Sequence, residues 1–414
     1  MAAPGISDRA RRILEHNPAP AYIVERMRRA PRAWTPEQPA GYIDLSTAEN
    51  KLMWDLIGSR LAEIRDVPHR VLHYDEGIGN LEFRRRIAEF LRPVHGGSLH
   101  DPGDICVLAG ASAVLEAVFY ALCEPGDGVL VPTPSYAGFW IDLESRAEAR
   151  IIPVHTSPDD GFRLTTGLLD RAMSQADRPV TALLFTSPNN PLGVVSDEEE
   201  VAAIIDWGER AGVHVVFDEV YALSVFDGGP FVSAAAVRRP LGDQVHVIWA
   251  FSKDFAASGL RCGVLISENR DLIASIRSQS LGAACSGDTQ FRLSELTADE
   301  AWTAEYVEAM RARLADAHDT AVEHLERAGI DRIGGGAGHF FLIDLRPHLT
   351  EPTFEAEGAL WREILDGGDV NLTPGAALRS VEPGFFRLCF AWHPPEAVGQ
   401  GIDRIARVLS ARAS

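Results

Sequence analysis

The apolar residues of this chain follow two rhythms. Short unbroken apolar runs occupy 105–109, 128–132, 150–154, 180–186, 213–217, 245–250 and 262–266. Between them lie stretches with helical spacing, such as the one in which Leu115, Val118, Phe119 and Leu122 share a face. Unbroken apolar runs mark strands buried on both sides. Their alternation with helical stretches predicts an α/β protein whose large domain holds a mostly parallel seven-stranded sheet covered by helices. In such sheets ligands gather at the carboxyl ends of the strands, so the residues after each run are the ones to read for chemistry.

The chain ends read differently. The stretch 13–29 predicts a short helix, and the prolines that follow it predict an extended arm to about residue 40. Residues 299–328 carry a long helical pattern with no proline or glycine. The run 340–345 predicts one more strand. The glycines at 334–338 before it lack the strand–GxGxxG–helix context of a nucleotide loop and read as a turn; His339, just before the strand, is read in a packing or solvent role, with a place facing the pocket as the alternative. The expected division is an N-terminal arm and part of a small domain at 1–50, a large domain at 51–295, and a small C-terminal α+β domain at 296–414.

Composition narrows the function classes. The 414 residues carry a net charge of -20, which argues against non-specific nucleic-acid binding. No apolar run approaches the ~20 residues of a membrane span, and the N-terminus lacks a secretory core. The cysteines Cys106, Cys123, Cys262, Cys285 and Cys389 form no CxxC pair, and the histidines show no zinc spacing. The expectation is a cytoplasmic protein with no metal, no nucleic-acid partner and no membrane.

Candidate chemistry centres on an amine. Of 39 basic residues only Lys51 and Lys253 are lysine. A guanidinium stays protonated, whereas a desolvated amine can lose its proton and form a Schiff base, so Lys253 is the candidate nucleophile. Arg261, eight residues on, offers a fork for a phosphate. Asp218 ends an apolar run and is followed by Tyr221; a helix cap is the plain alternative for that carboxylate. Gly110, Ala111 and Ser112 open a helix, where backbone N–H groups can meet an anion; an ordinary strand–helix turn accounts for them equally well. Arg387 sits in an apolar strand, where a cation without a partner is costly.

Taken with their neighbours, these residues resemble the class I/II aminotransferase superfamily of fold-type I pyridoxal-phosphate enzymes. Ser252-Lys253 with Arg261, Asp218 with Tyr221, Asn190 in the Thr186–Gly193 segment, Tyr136 after Pro132, and Tyr74 with Gly79 and Arg84 carry the likeness in the family's order. Ala48-Glu49-Asn50 is similar to a motif of the 1-aminocyclopropane-1-carboxylate synthases. The resemblance implies pyridoxal 5'-phosphate bound to Lys253, its ring nitrogen facing Asp218 and its phenolic oxygen shared by Asn190 and Tyr221. It implies a ring stacked by Tyr136, and a phosphate held by Gly110, Ala111, Ser112, Arg261 and Ser252, or with Ser252 orienting Lys253 instead. It further implies a homodimer in which Tyr74 reaches the partner's phosphate, a substrate carboxylate on Arg387, and Glu49 near the sulfonium of S-adenosylmethionine. The synthases carry a tyrosine near the reacting carbons where this chain has Gly77. The implied reaction is loss of methylthioadenosine from the γ-carbon, followed by replacement or annulation with a second substrate. Ring closure and transamination are the alternatives.

Overall fold

The computed structural model describes residues 5–16 and 19–412. In chain order the strands are β1 (Ile43–Asp44), β2 (Ile105–Leu108), β3 (Gly128–Thr133), β4 (Arg150–His155), β5 (Val180–Thr186), β6 (His214–Asp218), β7 (Val245–Ala250), β8 (Gly263–Ser267), β9 (Asp331–Ile333), β10 (Phe340–Asp344), β11 (Val370–Asn371), β12 (Thr373–Pro374) and β13 (Phe385–Cys389). All seven apolar runs form strands of one sheet, in the order β2-β8-β7-β6-β5-β3-β4. Only β8 runs antiparallel to its neighbours. β2, β7 and β8 are buried along their whole length, while β4 at the edge is largely open. Side chains alternate between two cores: Val215 and Phe217 pack on one face, Val216 on the other.

The sheet's direction places the site. β2, β3, β5, β6 and β7 end on one edge. Because β8 runs the other way, its first residue lies on that same edge, where Gly263 pairs with both Ala250 and Leu108. Residues before β8 and residues after the parallel strands therefore converge.

A second sheet, β12-β13-β10-β9, is antiparallel, and β1 pairs with β11. Chain start and chain end thus meet in a smaller α+β layer. It is joined to the large sheet by the helix Glu300–Ala328, which Asp299 caps through the Trp302 amide and Gly329 closes in the left-handed conformation at φ 66°.

The N-terminal reading needs correction. In place of one helix over 13–29 there are two, Asp8–His16 and Ala21–Arg29. Pro20 is the N-cap of the second and cannot lie inside a continuous helix. Nor are residues 33–42 an extended arm. Trp34 N donates to Tyr42 O (2.7 Å), and Tyr42 N to Arg32 O (2.8 Å), folding the segment back on itself. Trp34 is buried and donates to Gln400 Oε1 at 2.6 Å. Burying that indole outweighs the freedom the prolines leave to the backbone.

Candidate active site

A cavity of about 330 Å³ opens at the convergent edge of the sheet. Ala111, Ser112, Tyr136, Asn190, Asp218, Tyr221, Ser252, Lys253, Arg261 and Arg387, all singled out from the sequence, line it.

Lys253 sits in the short helix Phe251–Asp254 directly after β7. Its Nζ donates to Ala48 O at 2.7 Å. Burial lowers the pKa of the amine, against the pull of the Glu49 carboxylate and with the help of Arg387. The turn is pinned by Asp254, which the sequence reading passed over. Its carboxylate accepts from Ser224 Oγ (2.6 Å), Trp249 Nε1 (2.8 Å) and Leu223 N (3.1 Å). Phe251 and Phe255 pack on Phe90 and Trp249 behind it, so Lys253 projects from a rigid base.

Asp218 is the last residue of β6. Its Oδ1 is buried with no hydrogen-bond partner, and burial pushes its carboxyl up to about 7, opposed by the Val220 amide. The helix-cap alternative leaves that orphaned oxygen unexplained. A protonated ring nitrogen would satisfy it. Tyr221 follows in a tight turn. Its ring lies edge-on to His339 and to Phe340, with centroids 5.3 Å away in each case. His339 is fully buried and is not among the residues lining the cavity, so of the roles expected for it packing holds, while solvent contact and a place facing the pocket do not.

Asn190 lies in a loop closed by Gly193 N donating to Asn189 O at 2.8 Å. Gly193 has φ 65°, and a β-carbon there would stand 2.6 Å from the carbonyl oxygens of Ala337 and Phe340. No other residue fits between the two sheets' loops. Ser187 is buried and accepts from Ser196 N at 3.1 Å, tying the loop instead of lining the cavity.

The opposite wall suits a phosphate. Gly110 has φ 98°, and a β-carbon on it would overlap the Arg261 guanidinium. Ala111 and Ser112 begin the helix Ala111–Leu122, so its free N–H groups face the same space. Ser252 Oγ is buried without a partner. Arg261 Nη1 donates to Ser258 O at 2.9 Å. An orphaned hydroxyl, a guanidinium, a helix start and a glycine with no room for a side chain fit one anion. Together with the Lys253 amine and the Asp218 oxygen, they fit pyridoxal phosphate.

Arg387 occupies the middle of β13 and stacks over Phe340 at 5.3 Å. Among the described residues no carboxylate pairs with it. Nη1 donates to Asn190 Oδ1 (2.9 Å), and Nη2 to Ser46 O (2.6 Å) and Thr373 Oγ1 (3.2 Å). Nε has no partner.

Glu49 and Tyr74 do not line the cavity. Glu49 is the residue after Ala48, whose carbonyl holds Lys253, and its charge reaches that amine. Tyr74 is 98% exposed and stands in a separate depression with Gly77 and Leu281. A β-carbon on Gly77 would overlap Ser280 Oγ. Sequence reasoning missed Tyr22, Ile23 and Arg26 of the second N-terminal helix, and Asp142, all of which line the cavity. The helix carried no signal beyond its spacing, because its neighbours at the cavity lie from 21 residues away, at Thr47, to far along the chain. Asp142 looked like one acid on a surface helix.

Comparison with known proteins agrees with this geometry. The family model "Aminotransferase class I and II" matches residues 41–405. The chain is 33% identical over 394 residues to 1-aminocyclopropane-1-carboxylate synthase 8 of Arabidopsis thaliana, covering 90% of this chain and 84% of that protein. It is 32% identical over 397 residues to 1-aminocyclopropane-1-carboxylate synthase 2 of Solanum lycopersicum, covering 91% and 82%. In fold it is similar to the Thermus thermophilus aspartate aminotransferase solved with maleate, with a TM-score of 0.82 at 22% identity over 98% of this chain and 100% of that one. The chain belongs to the class I and II aminotransferases, a family of enzymes that depend on pyridoxal phosphate.

Proposed function

We propose that this enzyme acts on S-adenosylmethionine, releasing methylthioadenosine from the γ-carbon and joining that carbon to a second substrate. The cofactor supplies a carbonyl that takes up the substrate amine and a ring that draws electron density from the α-carbon. The protein does the rest. Lys253 would anchor the cofactor and, once free, take the α-proton; burial lowers its pKa, which favours the unprotonated amine that this role needs. Asp218 holds the proton of the ring nitrogen. Asn190 and Tyr221 hold the phenolic oxygen, Tyr136 covers the ring, and Ser112, Ser252 and Arg261 hold the phosphate. Arg387 orients the substrate carboxylate. Glu49 offers a carboxylate to the sulfonium, an attraction that a neutral amino-acid side chain would not gain. Tyr74 would complete the phosphate site of a partner subunit in a homodimer.

The observation that carries replacement over ring closure is at Gly77. The resembled synthases have a tyrosine there, and in this chain Ser280 Oγ occupies the place of even a β-carbon. Relatives at 32–33% identity named as 1-aminocyclopropane-1-carboxylate synthases favour ring closure as the second reading. Incubation with S-adenosylmethionine, followed by chromatography, separates the two. Methylthioadenosine without the cyclopropane amino acid supports replacement, both products together support ring closure, and no release removes both readings. Glu49→Gln should raise KM for the sulfonium substrate about tenfold, or ~1.4 kcal/mol.

A further inference from the structure

Asp142 is a carboxylate in the wall of a site built for an anion. It lies on the short helix Phe139–Glu144 and lines the cavity beside Ser112 and Arg261. Its Oδ2 is 3.3 Å from Ser112 Oγ, which donates to it. Its charge also bears on Asp218 and Tyr136. The groups facing it are Ser112 and Glu116 on the helix Ala111–Leu122, Arg261 before β8, Asp218 at the end of β6, and Tyr136 on its own segment. Only Arg261 among them is a cation. Glu116 has a separate partner in Arg146 at 3.0 Å.

A hydroxyl has one proton to give. While Asp142 is ionised, Ser112 gives its proton to Asp142 and has none for a phosphate, and two negative charges share the cup. If Asp142 is protonated, it donates to Ser112 Oγ, and the Ser112 proton is free to turn to the phosphate. We propose that Asp142 is a positioning residue for cofactor binding, which takes up one proton when the phosphate enters and so converts Ser112 into a donor to it. The proton comes from a solvent hydronium, whose O–H bond breaks as the Asp142 O–H bond forms. Burial holds the Asp142 carboxyl up at about 6 before the cofactor is bound, against the Ser112 hydrogen bond and with the repulsion of Glu116 added. An arriving dianion adds further negative charge and raises it again. The inference rests on the placement of the phosphate among Ser112, Ser252 and Arg261.

The test uses Asp142→Asn, whose amide mimics the protonated acid by donating to Ser112. The probe is pyridoxamine 5'-phosphate, which forms no bond to Lys253, and its dissociation constant is measured for both proteins from about pH 5 to about pH 8. One-proton linkage about a pKa near 6 makes the wild-type constant about equal to the variant's near pH 5 and about tenfold larger near pH 7. Dividing one constant by the other cancels the probe's own ionisation. Because Asp142 keeps its proton in the complex, the phosphorus NMR shift of the bound probe should stay flat from about pH 5 to about pH 7 in wild type as in the variant, which places the titration in the free protein. Ser112→Ala, with nothing to convert, should lose most of the pH dependence, which provides a second route if the asparagine variant folds poorly. A wild-type to variant ratio that stays constant with pH overturns the role of Asp142. Failure of wild type and Arg261→Ala to differ in affinity overturns the phosphate placement instead.

Discussion

At the inner end of the cavity, Asp218, Tyr136, Asn190 and Lys253 stand at or within four residues of the end of a strand. On the side formed by the chain's start, the outer end, Tyr22 and Arg26 stand on a terminal helix and Thr47 on the segment after β1, with none of the seven strands beneath them. The inner groups are fixed by the same hydrogen-bond ladders that hold the sheet, so their spacing survives changes in surface sequence. The outer groups are held by side chains: Arg26 Nη1 donates to Thr47 Oγ1 at 3.1 Å, and Lys51 sits over the Trp392 ring at 3.1 Å. The inner end decides that a cofactor binds and that carbon acids are activated. On the reading proposed above, the outer end decides which substrate arrives and what becomes of it. Fold likeness alone therefore reaches the first question and stops short of the second.

Substitutions can break or sharpen this contrast. The largest effect is expected at Lys253→Ala, which should lower turnover by at least about 10³-fold and abolish the Schiff-base absorbance band of bound pyridoxal phosphate, with the thermal melt of the apoprotein unchanged within a few degrees. Retention of that band would break the contrast at its base. Next comes Asp218. In the cofactor-free protein the folded state keeps this proton to about pH 7, whereas the unfolded chain releases it near pH 4. The folded state thus binds more protons across that window, and stability falls as pH rises through it, by an amount on the order of a few kcal/mol. Urea denaturation of the apoprotein at several pH values should show the fall, and Asp218→Asn should flatten it. An equal slope in both proteins would mean that the oxygen is already satisfied. The smallest effect is expected at the outer end. Tyr22→Phe should change KM for substrate about two- to fivefold while leaving cofactor affinity alone. A loss of cofactor affinity there would show that the two ends are not separable.

The inner end was the more legible in the sequence for the same reason that it is rigid. Lys253, Asp218 and Asn190 follow apolar runs whose spacing announces strands, and a lysine in a chain of arginines draws attention by itself. Asp254 was not legible. Its partners Ser224 and Leu223 lie 30 and 31 residues away, so its role arises only once β7 and the turn after β6 are side by side. The cavity-lining face of the second N-terminal helix was hidden because its spacing marks a helix without naming what the helix covers. The folding back of residues 33–42 was hidden because prolines announce extended backbone but do not say where a tryptophan finds cover. His339 was placed on a turn correctly, yet whether a turn residue meets water depends on the loops above it.

Arg387 has one more consequence. Its two terminal nitrogens already hold protein oxygens, on the Asn190 loop from one sheet and on Ser46 and Thr373 from the other layer. A substrate carboxylate that came to Arg387, as proposed, would find only Nε free and would have to exchange a protein oxygen to gain a two-point grip. Such an exchange would slacken a tether between the two layers, so on the proposed reading the arrival of substrate is a mechanical signal, felt by both halves of the molecule before any carbon–hydrogen bond is touched.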